Sequence, residues 1–184
     1  MAEIKLCSFG LPLKWATLKT FNYRHMKKIV LASTSTLFGQ GYLEYLMEEL
    51  ESFFEGRSTI TFIPYARPGG ISHEDYTALV ATAFFKINKK VVGLHTFTDP
   101  LEGIAQAEAI FTGGGNTFLL VQQLHQLQLI NHLKEKIETG TPYLGSSAGS
   151  NIAGPSMKTT NDMPIVYPSS FDTLGVVNFN LNPH

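Results

Sequence analysis

The order of apolar segments after Met26 constrains the fold more than any other feature of this sequence. Short runs rich in β-branched and apolar residues alternate with stretches in which apolar residues recur at helical spacing. The runs predicted to be strands are residues 29–32, 59–63, 91–94, 109–111 and 143–144. Strands separated by helices in this way form a mostly parallel sheet with helices on both faces. The sequence therefore predicts an α/β three-layer sandwich.

Composition excludes several classes of protein. The net charge of −1 offers no basic surface for nucleic acid or an acidic membrane. Cys7 is the only cysteine, so no disulfide can form within the chain and a reducing compartment is the default. No apolar run approaches the roughly 20 residues needed to span a bilayer. We expect a cytoplasmic protein with neither a nucleic-acid partner nor a membrane partner.

The first 25 residues differ from the rest of the chain. After Glu3 this segment contains basic residues but no acidic one. Met26 and two lysines then precede the first predicted apolar strand. It lacks the apolar centre of a secretory signal. We expect residues 1–25 to be an extension outside the fold and residues 26–184 to form a single α/β domain.

Two glycine-containing loops follow predicted strands at the edge of the sheet where ligands collect. Residues 113–116 follow the fourth strand, and residues 145–149 follow the fifth. The second loop has the G-x-S-x-G form of a nucleophile elbow, with an apolar strand before it and a helix start of small residues after it. We interpret Ser147 as a nucleophile. The alternative is a glycine-rich turn that only caps a helix.

The triple-glycine loop has properties that a serine nucleophile requires. Attack on an amide carbonyl creates an oxyanion, which backbone N–H groups stabilise. Ala148 and Gly115 are the predicted donors, while Gly114 and Asn116 are predicted to contact the substrate. The loop has neither G-x-G-x-x-G spacing nor a following Lys-Ser/Thr pair, which argues against dinucleotide and P-loop sites. No histidine or cysteine cluster indicates a metal, and we expect no cofactor.

A serine nucleophile needs a base. His95 ends the third predicted strand and could line the pocket, whereas His73, His125 and His132 are placed at or on helices. His184 follows residues 176–181, a further predicted strand, and the turn formed by the Asn-Pro pair before it would let it reach Ser147. His184 is thus a candidate base.

Two aspartates are candidates for the acid that orients the base. Asp162 lies in a polar turn 15 residues after Ser147, and Asp172 lies in a Ser-Ser-Phe-Asp turn more typical of local capping. Asp162 as an ordinary turn residue is an equally good interpretation.

Four motifs in this order resemble the aspartyl dipeptidase (dipeptidase E) family, from about Lys27 to the last residue. They are residues 113–118, 145–149, 159–166 and 182–184, with residues 62–66 also similar. The expected fold is flavodoxin-like, of the kind also found in class I glutamine amidotransferases. Those enzymes need a cysteine at the elbow, where this chain has Ser147.

The resemblance implies a cytosolic serine peptidase that cleaves dipeptides with an N-terminal aspartate, as a monomer or a homodimer. It places the nucleophile on Ser147, the base on His184, the acid on Asp162, and the oxyanion donors on Gly115 and Ala148. Family members continue for several tens of residues beyond the position of His184. The resemblance therefore also implies that this chain lacks the C-terminal portion.

Other functions remain open from the sequence. A cyanophycinase-like or esterase-type hydrolase would share the serine elbow and the Ser, Asp, His order. A truncated pseudoenzyme that only binds small acidic ligands is the non-enzymatic alternative. Arg67, near the second predicted strand, is either an anion partner or a solvated loop residue.

Overall fold

A computed structural model describes residues 26–183 together with two strands at residues 2–7 and 14–18. Within these residues, seven strands form one sheet in the order β2-β1-β3-β7-β6-β4-β5. The strands are β1 (Ala2–Cys7), β2 (Lys14–Leu18), β3 (Lys28–Ala32), β4 (Thr59–Ile63), β5 (Lys90–Gly93), β6 (Ile110–Thr112) and β7 (Tyr143–Ser146).

The five strands from β3 to β5 in this sheet order are all parallel. They are the five strands expected from the apolar runs, with ends that differ by two residues at most. Ile29 of β3 pairs with Tyr143 of β7, and Tyr143 pairs on its other side with Ile110 of β6. The prediction of an α/β fold with a mostly parallel sheet is confirmed.

Helices connect the strands and cover both faces of the sheet. They are α1 (Met47–Phe53), α2 (His73–Phe85), α3 (Pro100–Ala105), α4 (Thr117–Gln126), α5 (Leu129–Glu138) and α6 (Ala148–Asn151). Polar side chains cap the starts of α2, α3 and α4. In α3, Asp99 Oδ1 accepts the Leu101 N–H at 2.9 Å, at the Asp-Pro pair. In the part of the chain described, no helix has the length and apolar character needed to cross a membrane.

The core lies in two layers because successive strand residues face opposite sides of the sheet. In β3, Ile29 and Leu31 pack towards α3, α4 and α5, whereas Val30 and Ala32 pack towards α1 and α2. The second layer is rich in aromatic rings, which are Phe54, Phe62, Tyr76, Phe84 and Phe111. Two buried layers hold the sheet rigidly, so the loops at its edge are anchored at their strand ends.

Two segments differ from the sequence-based expectation. Residues 1–25 were expected outside the fold, but β1 pairs in parallel with β3 and β2 pairs antiparallel with β1. The backbone of β3 is otherwise unpaired on that side, and such an edge readily accepts another strand. Whether the domain itself begins at residue 26 stays a prediction.

Residues 176–181 are irregular, so the prediction of a strand there is wrong. Val176 and Val177 are buried, and both of their N–H groups donate to the carbonyl of Ala153 instead of to a strand. Their β-branched side chains fill the core without joining the sheet.

Candidate active site

The carboxyl ends of β3, β4, β6 and β7 meet at one edge of the sheet. The Ser147 N–H, just beyond β7, donates to Ala32 O at the end of β3 at 3.0 Å. The Gly113 N–H, just beyond β6, donates to Ile63 O at the end of β4 at 3.2 Å. These bonds tie the two glycine-containing loops to neighbouring strands, so both loops have fixed positions.

Ser147 has a backbone conformation that side chains other than glycine rarely adopt. Its φ is 51° and its ψ is −113°, between the end of β7 and the start of α6. Such a conformation costs about 1–3 kcal/mol and persists where the surrounding structure enforces it, often at functional sites. A sharp strand-to-helix turn with a serine at its apex is the geometry of a nucleophile elbow.

The two glycines that flank Ser147 are required by close backbone packing. A methyl group at Gly145 would lie 2.5 Å from Gly149 O, and one at Gly149 would lie 2.1 Å from Thr112 O. Both distances are far below van der Waals contact, and both partners are backbone atoms. The elbow can therefore be this tight only with glycine at each position.

Hydrogen bonds from buried hydroxyl groups hold the elbow closed. The single Ser150 Oγ–H lies within hydrogen-bond distance of two carbonyl oxygens, Ala32 O at 2.7 Å and Gly145 O at 2.8 Å. The Tyr143 hydroxyl donates to Gly149 O at 2.7 Å. Burial raises the pKa of Tyr143 well above its usual range, so the phenol keeps its proton and remains a donor. These bonds to residues on both sides of Ser147 maintain its backbone conformation.

The triple-glycine turn lies against Ser147. A methyl group at Gly114 would be 2.9 Å from Ser147 Cβ and 3.5 Å from its Oγ. Gly115, at φ 146°, lies so close to Ala66 that a methyl group there would be 2.2 Å from Ala66 O. The structure thus brings the two loops together as the sequence predicted. The roles of Gly115 and Ala148 as oxyanion donors stay predictions.

A buried tyrosine that the sequence motifs do not single out orients the same turn. The Tyr76 hydroxyl donates to Gly114 O at 3.2 Å and lies 3.1 Å from the Tyr42 hydroxyl. Burial, and then the neighbouring Tyr76, raise the pKa of Tyr42 well above its ordinary value. In the sequence, Tyr76 is one member of an apolar stripe at helical spacing within residues 76–87. A tyrosine in a core needs a hydrogen-bond partner for its hydroxyl, and that requirement was the available signal.

Asp162 lies at the N-terminus of α4, directly after the triple-glycine turn. Its Oδ2 accepts the Thr117 N–H at 2.6 Å, a favourable place for a carboxylate. Asn116 caps the same helix through Leu119 N–H at 3.1 Å and donates from Nδ2 to Met163 O at 2.8 Å. Both side chains therefore have a structural function. Orientation of a base by Asp162 and substrate contact by Asn116 stay predictions.

Three of the other histidines that the sequence raised lie away from Ser147 or contact a backbone carbonyl elsewhere. His95 follows β5, which is three strands from β7 and hence about 14 Å away at the usual strand spacing. His125 Nε2 lies 3.0 Å from Asp172 O, and His132 Nδ1 lies 3.1 Å from Gln128 O.

His184 lies outside the described residues, so its role as the base stays a prediction. Residues 26–183 contain no group of three histidine, cysteine or acidic side chains that could hold a metal ion.

Asn151, in α6, anchors the segment that leads towards the chain end. Its Nδ2 donates to Leu181 O at 2.6 Å and to Thr159 Oγ1 at 3.2 Å. Asn151 is fully buried. In the sequence, Asn151 is one of several small and polar residues at the start of the helix after the elbow. The sequence carries no local signal for a tether, because the burial of Asn151 is visible only in the fold.

Comparison with known proteins agrees with this geometry. Residues 29–184 match peptidase family S51. A "Probable alpha-aspartyl dipeptidase" of Drosophila melanogaster is 44% identical over 161 residues, which cover 86% of this chain and 66% of that protein. A "Peptidase E" of Streptomyces coelicolor is 44% identical over 156 residues, covering 85% and 63% respectively. This chain therefore spans less than two thirds of the length of either curated relative.

A solved structure has the same fold. The crystal structure of a Listeria monocytogenes protein designated a candidate peptidase E superposes with a TM-score of 0.64 at 25% identity, over 84% of this chain and 77% of that one. The family match covers most of the chain and includes both glycine-containing loops and the elbow serine. The chain accordingly belongs to peptidase family S51.

Proposed function

We propose that this chain is a serine peptidase that hydrolyses dipeptides with an N-terminal aspartate through an acyl-enzyme on Ser147. The names of the relatives, alpha-aspartyl dipeptidase and peptidase E, support the substrate class. A cyanophycinase-like or esterase-type activity has no comparable support.

The observation that carries the proposal is the backbone of Ser147. Its strained φ and ψ are maintained by two glycines that admit no side chain and by buried hydrogen bonds on either side. A turn that only capped a helix would not need this strain, because a serine with ordinary extended φ and ψ caps a helix well. The strain is accounted for if the hydroxyl must project from the sheet edge towards a substrate.

The proposed mechanism is acyl transfer to serine. Ser147 Oγ attacks the peptide carbonyl while His184 takes its proton, and the N–H groups of Gly115 and Ala148 stabilise the oxyanion. His184 then protonates the leaving amine, and water hydrolyses the ester by the same steps in reverse. Asp162 would hold the imidazole in the tautomer that this sequence of proton transfers requires.

A fluorophosphonate probe tests the nucleophile directly. We expect Ser147 to be labelled in the folded protein and labelling to be lost in Ser147→Ala. Ser146→Ala, one position earlier, is the matched control and should label normally. A folded protein that does not label would favour the inactive pseudoenzyme. Hydrolysis of a nitrophenyl ester without any hydrolysis of Asp-Leu would favour an esterase.

The two suggested functions of Asp162 can be separated by paired substitutions. Asp162→Asn keeps an oxygen acceptor for the Thr117 N–H, whereas Asp162→Ala removes it. We expect the alanine variant to lose about 1 kcal/mol of stability and the asparagine variant much less. If Asp162 orients the base, both variants should lose about 10⁴-fold in kcat. Normal turnover of Asp162→Asn would leave only the capping function.

The cellular setting is also part of the proposal. A small peptide is the only partner we propose, without nucleic acid or membrane, and the protein would act in the cytoplasm as a monomer or a homodimer. The near-neutral net charge and the single cysteine, Cys7, support this assignment.

A further inference from the structure

Arg67 lies next to a backbone segment that packs directly against the candidate active site. It follows Ala66, whose carbonyl accepts the Asn116 N–H at 2.7 Å and closely contacts Gly115. The adjoining Gly114 lies against Ser147. Only the triple-glycine turn therefore separates the backbone at Arg67 from the elbow, although Arg67 is 80 residues before Ser147 in the sequence.

The guanidinium group of Arg67 is held in place by an aromatic ring. Its Cζ lies 4.7 Å from the centroid of the Tyr76 ring, and Tyr76 is fully buried. A planar guanidinium that stacks on a ring has a more firmly fixed orientation than the guanidinium of an arginine that extends into solvent. The same tyrosine donates its hydroxyl to Gly114 O, so a single side chain supports both the glycine turn and the cation.

The Nε–H of the Arg67 guanidinium has no acceptor among the described residues. Arg67 Nε is inaccessible to solvent and has no hydrogen-bond partner there, and no described carboxylate forms an ion pair with Arg67. Buried polar groups nearly always have partners, and a ligand carboxylate arriving at the neighbouring active site would supply the acceptor that this Nε–H lacks. The planar donors of a guanidinium match the two oxygens of a carboxylate.

We propose that Arg67 binds a carboxylate of the peptide substrate. This inference rests on the proposed function, which supplies the substrate class. A dipeptide with an N-terminal aspartate carries two carboxylates, one on the side chain and one at its C-terminus. Both have the chemistry that Arg67 recognises, and the substrates chosen for the test distinguish them.

Binding to a chain that cannot turn over tests the proposal most directly. In a Ser147→Ala background, the dissociation constants of Asp-Leu, Asn-Leu and Asp-Leu amide would be measured by calorimetry, with and without Arg67→Met. We expect Arg67→Met to weaken Asp-Leu binding roughly 10- to 100-fold, the usual effect of losing a charged hydrogen bond. The analogue that lacks the recognised carboxylate should bind both forms equally. An unchanged constant for Asp-Leu, undetectable binding of Asp-Leu to Ser147→Ala, or equal losses for all three peptides would overturn the proposal.

Two further variants guard against a purely structural effect. Arg57→Met removes an exposed arginine just before β4, at the opposite edge of the sheet, and should leave all three constants unchanged. Arg67→Lys keeps the charge without the planar fork and should give an intermediate constant. Binding of Asp-Leu that is weaker with lysine than with methionine would contradict recognition of a carboxylate by charge.

Failure of this inference can be told from failure of the proposed function. With Ser147 present, Arg67→Met should react with a fluorophosphonate as fast as the original chain, because the probe has no carboxylate. Normal labelling with an unchanged Asp-Leu constant would remove only the role of Arg67. No labelling of the original chain would remove the proposed function itself.

Discussion

Replacing Ser147 with alanine is expected to lower kcat for Asp-Leu by about 10⁶-fold, the scale of loss when a serine nucleophile is removed. The fold should remain, because alanine keeps the Cβ and therefore faces the same backbone strain as serine. We expect the free energy of unfolding to change by less than about 0.5 kcal/mol. Steady-state hydrolysis of Asp-Leu and a urea denaturation curve measure the two quantities.

Ser146→Ala is the control for this experiment. Ser146 is fully buried, and its Oγ has no hydrogen-bond partner among the described residues. Removing a buried hydroxyl that has no partner costs little or stabilises slightly, so this variant should keep both its fold and its turnover. Turnover of Ser147→Ala that equalled that of Ser146→Ala would show that the chain uses a different nucleophile or none.

Gly149→Ala is expected to have the largest effect on stability. The added methyl group would lie 2.1 Å from Thr112 O and 2.8 Å from Thr112 C, and neither backbone atom can move without displacing β6. We expect a loss of about 3 kcal/mol or more, measured as a lower urea midpoint. Because the elbow would have to open, fluorophosphonate labelling of Ser147 should also be lost in the protein that still folds.

Gly69→Ala is the matched control for Gly149→Ala. Gly69 is exposed, a methyl group there would meet no atom within 4 Å, and its φ is not positive. Its substitution should leave stability unchanged or raise it by about 0.4–1 kcal/mol by restricting the unfolded chain. Equal urea midpoints for the two variants would mean that the contact of Gly149 with β6 does not hold the elbow.

Local patterns were enough to predict most of the fold. Each central strand coincides with an apolar run in the sequence, and β4 ends at Ile63 directly before Pro64. The elbow was also readable, because Gly145 and Gly149 flank a serine between a strand and a helix. These signals lie within a few residues of one another, so no tertiary information was needed.

The remaining features depend on tertiary contacts, which local sequence patterns do not report. Nothing near Arg67 in the sequence shows that its guanidinium stacks on Tyr76, and nothing near Asp162 shows that it accepts the Thr117 N–H 45 residues earlier. The apolar residues 176–181 resemble a strand, but the core that buries them offers the carbonyl of Ala153 as their partner. Periodicity reports burial, and it does not report which backbone group is the partner.

The tether made by Asn151 has a consequence for the tolerance of this site to insertion. Ser147 and Asn151, whose side-chain amide donates to Leu181 O, are separated by one helical turn. That turn sets the spacing between the elbow and the segment around Leu181, here called the tail. A change in the outer strands would leave the spacing intact. One inserted residue in α6 would instead rotate Asn151 by about 100° and release the tail while Ser147 stayed in place. A segment from a related protein that replaces this region must therefore keep α6 at four residues.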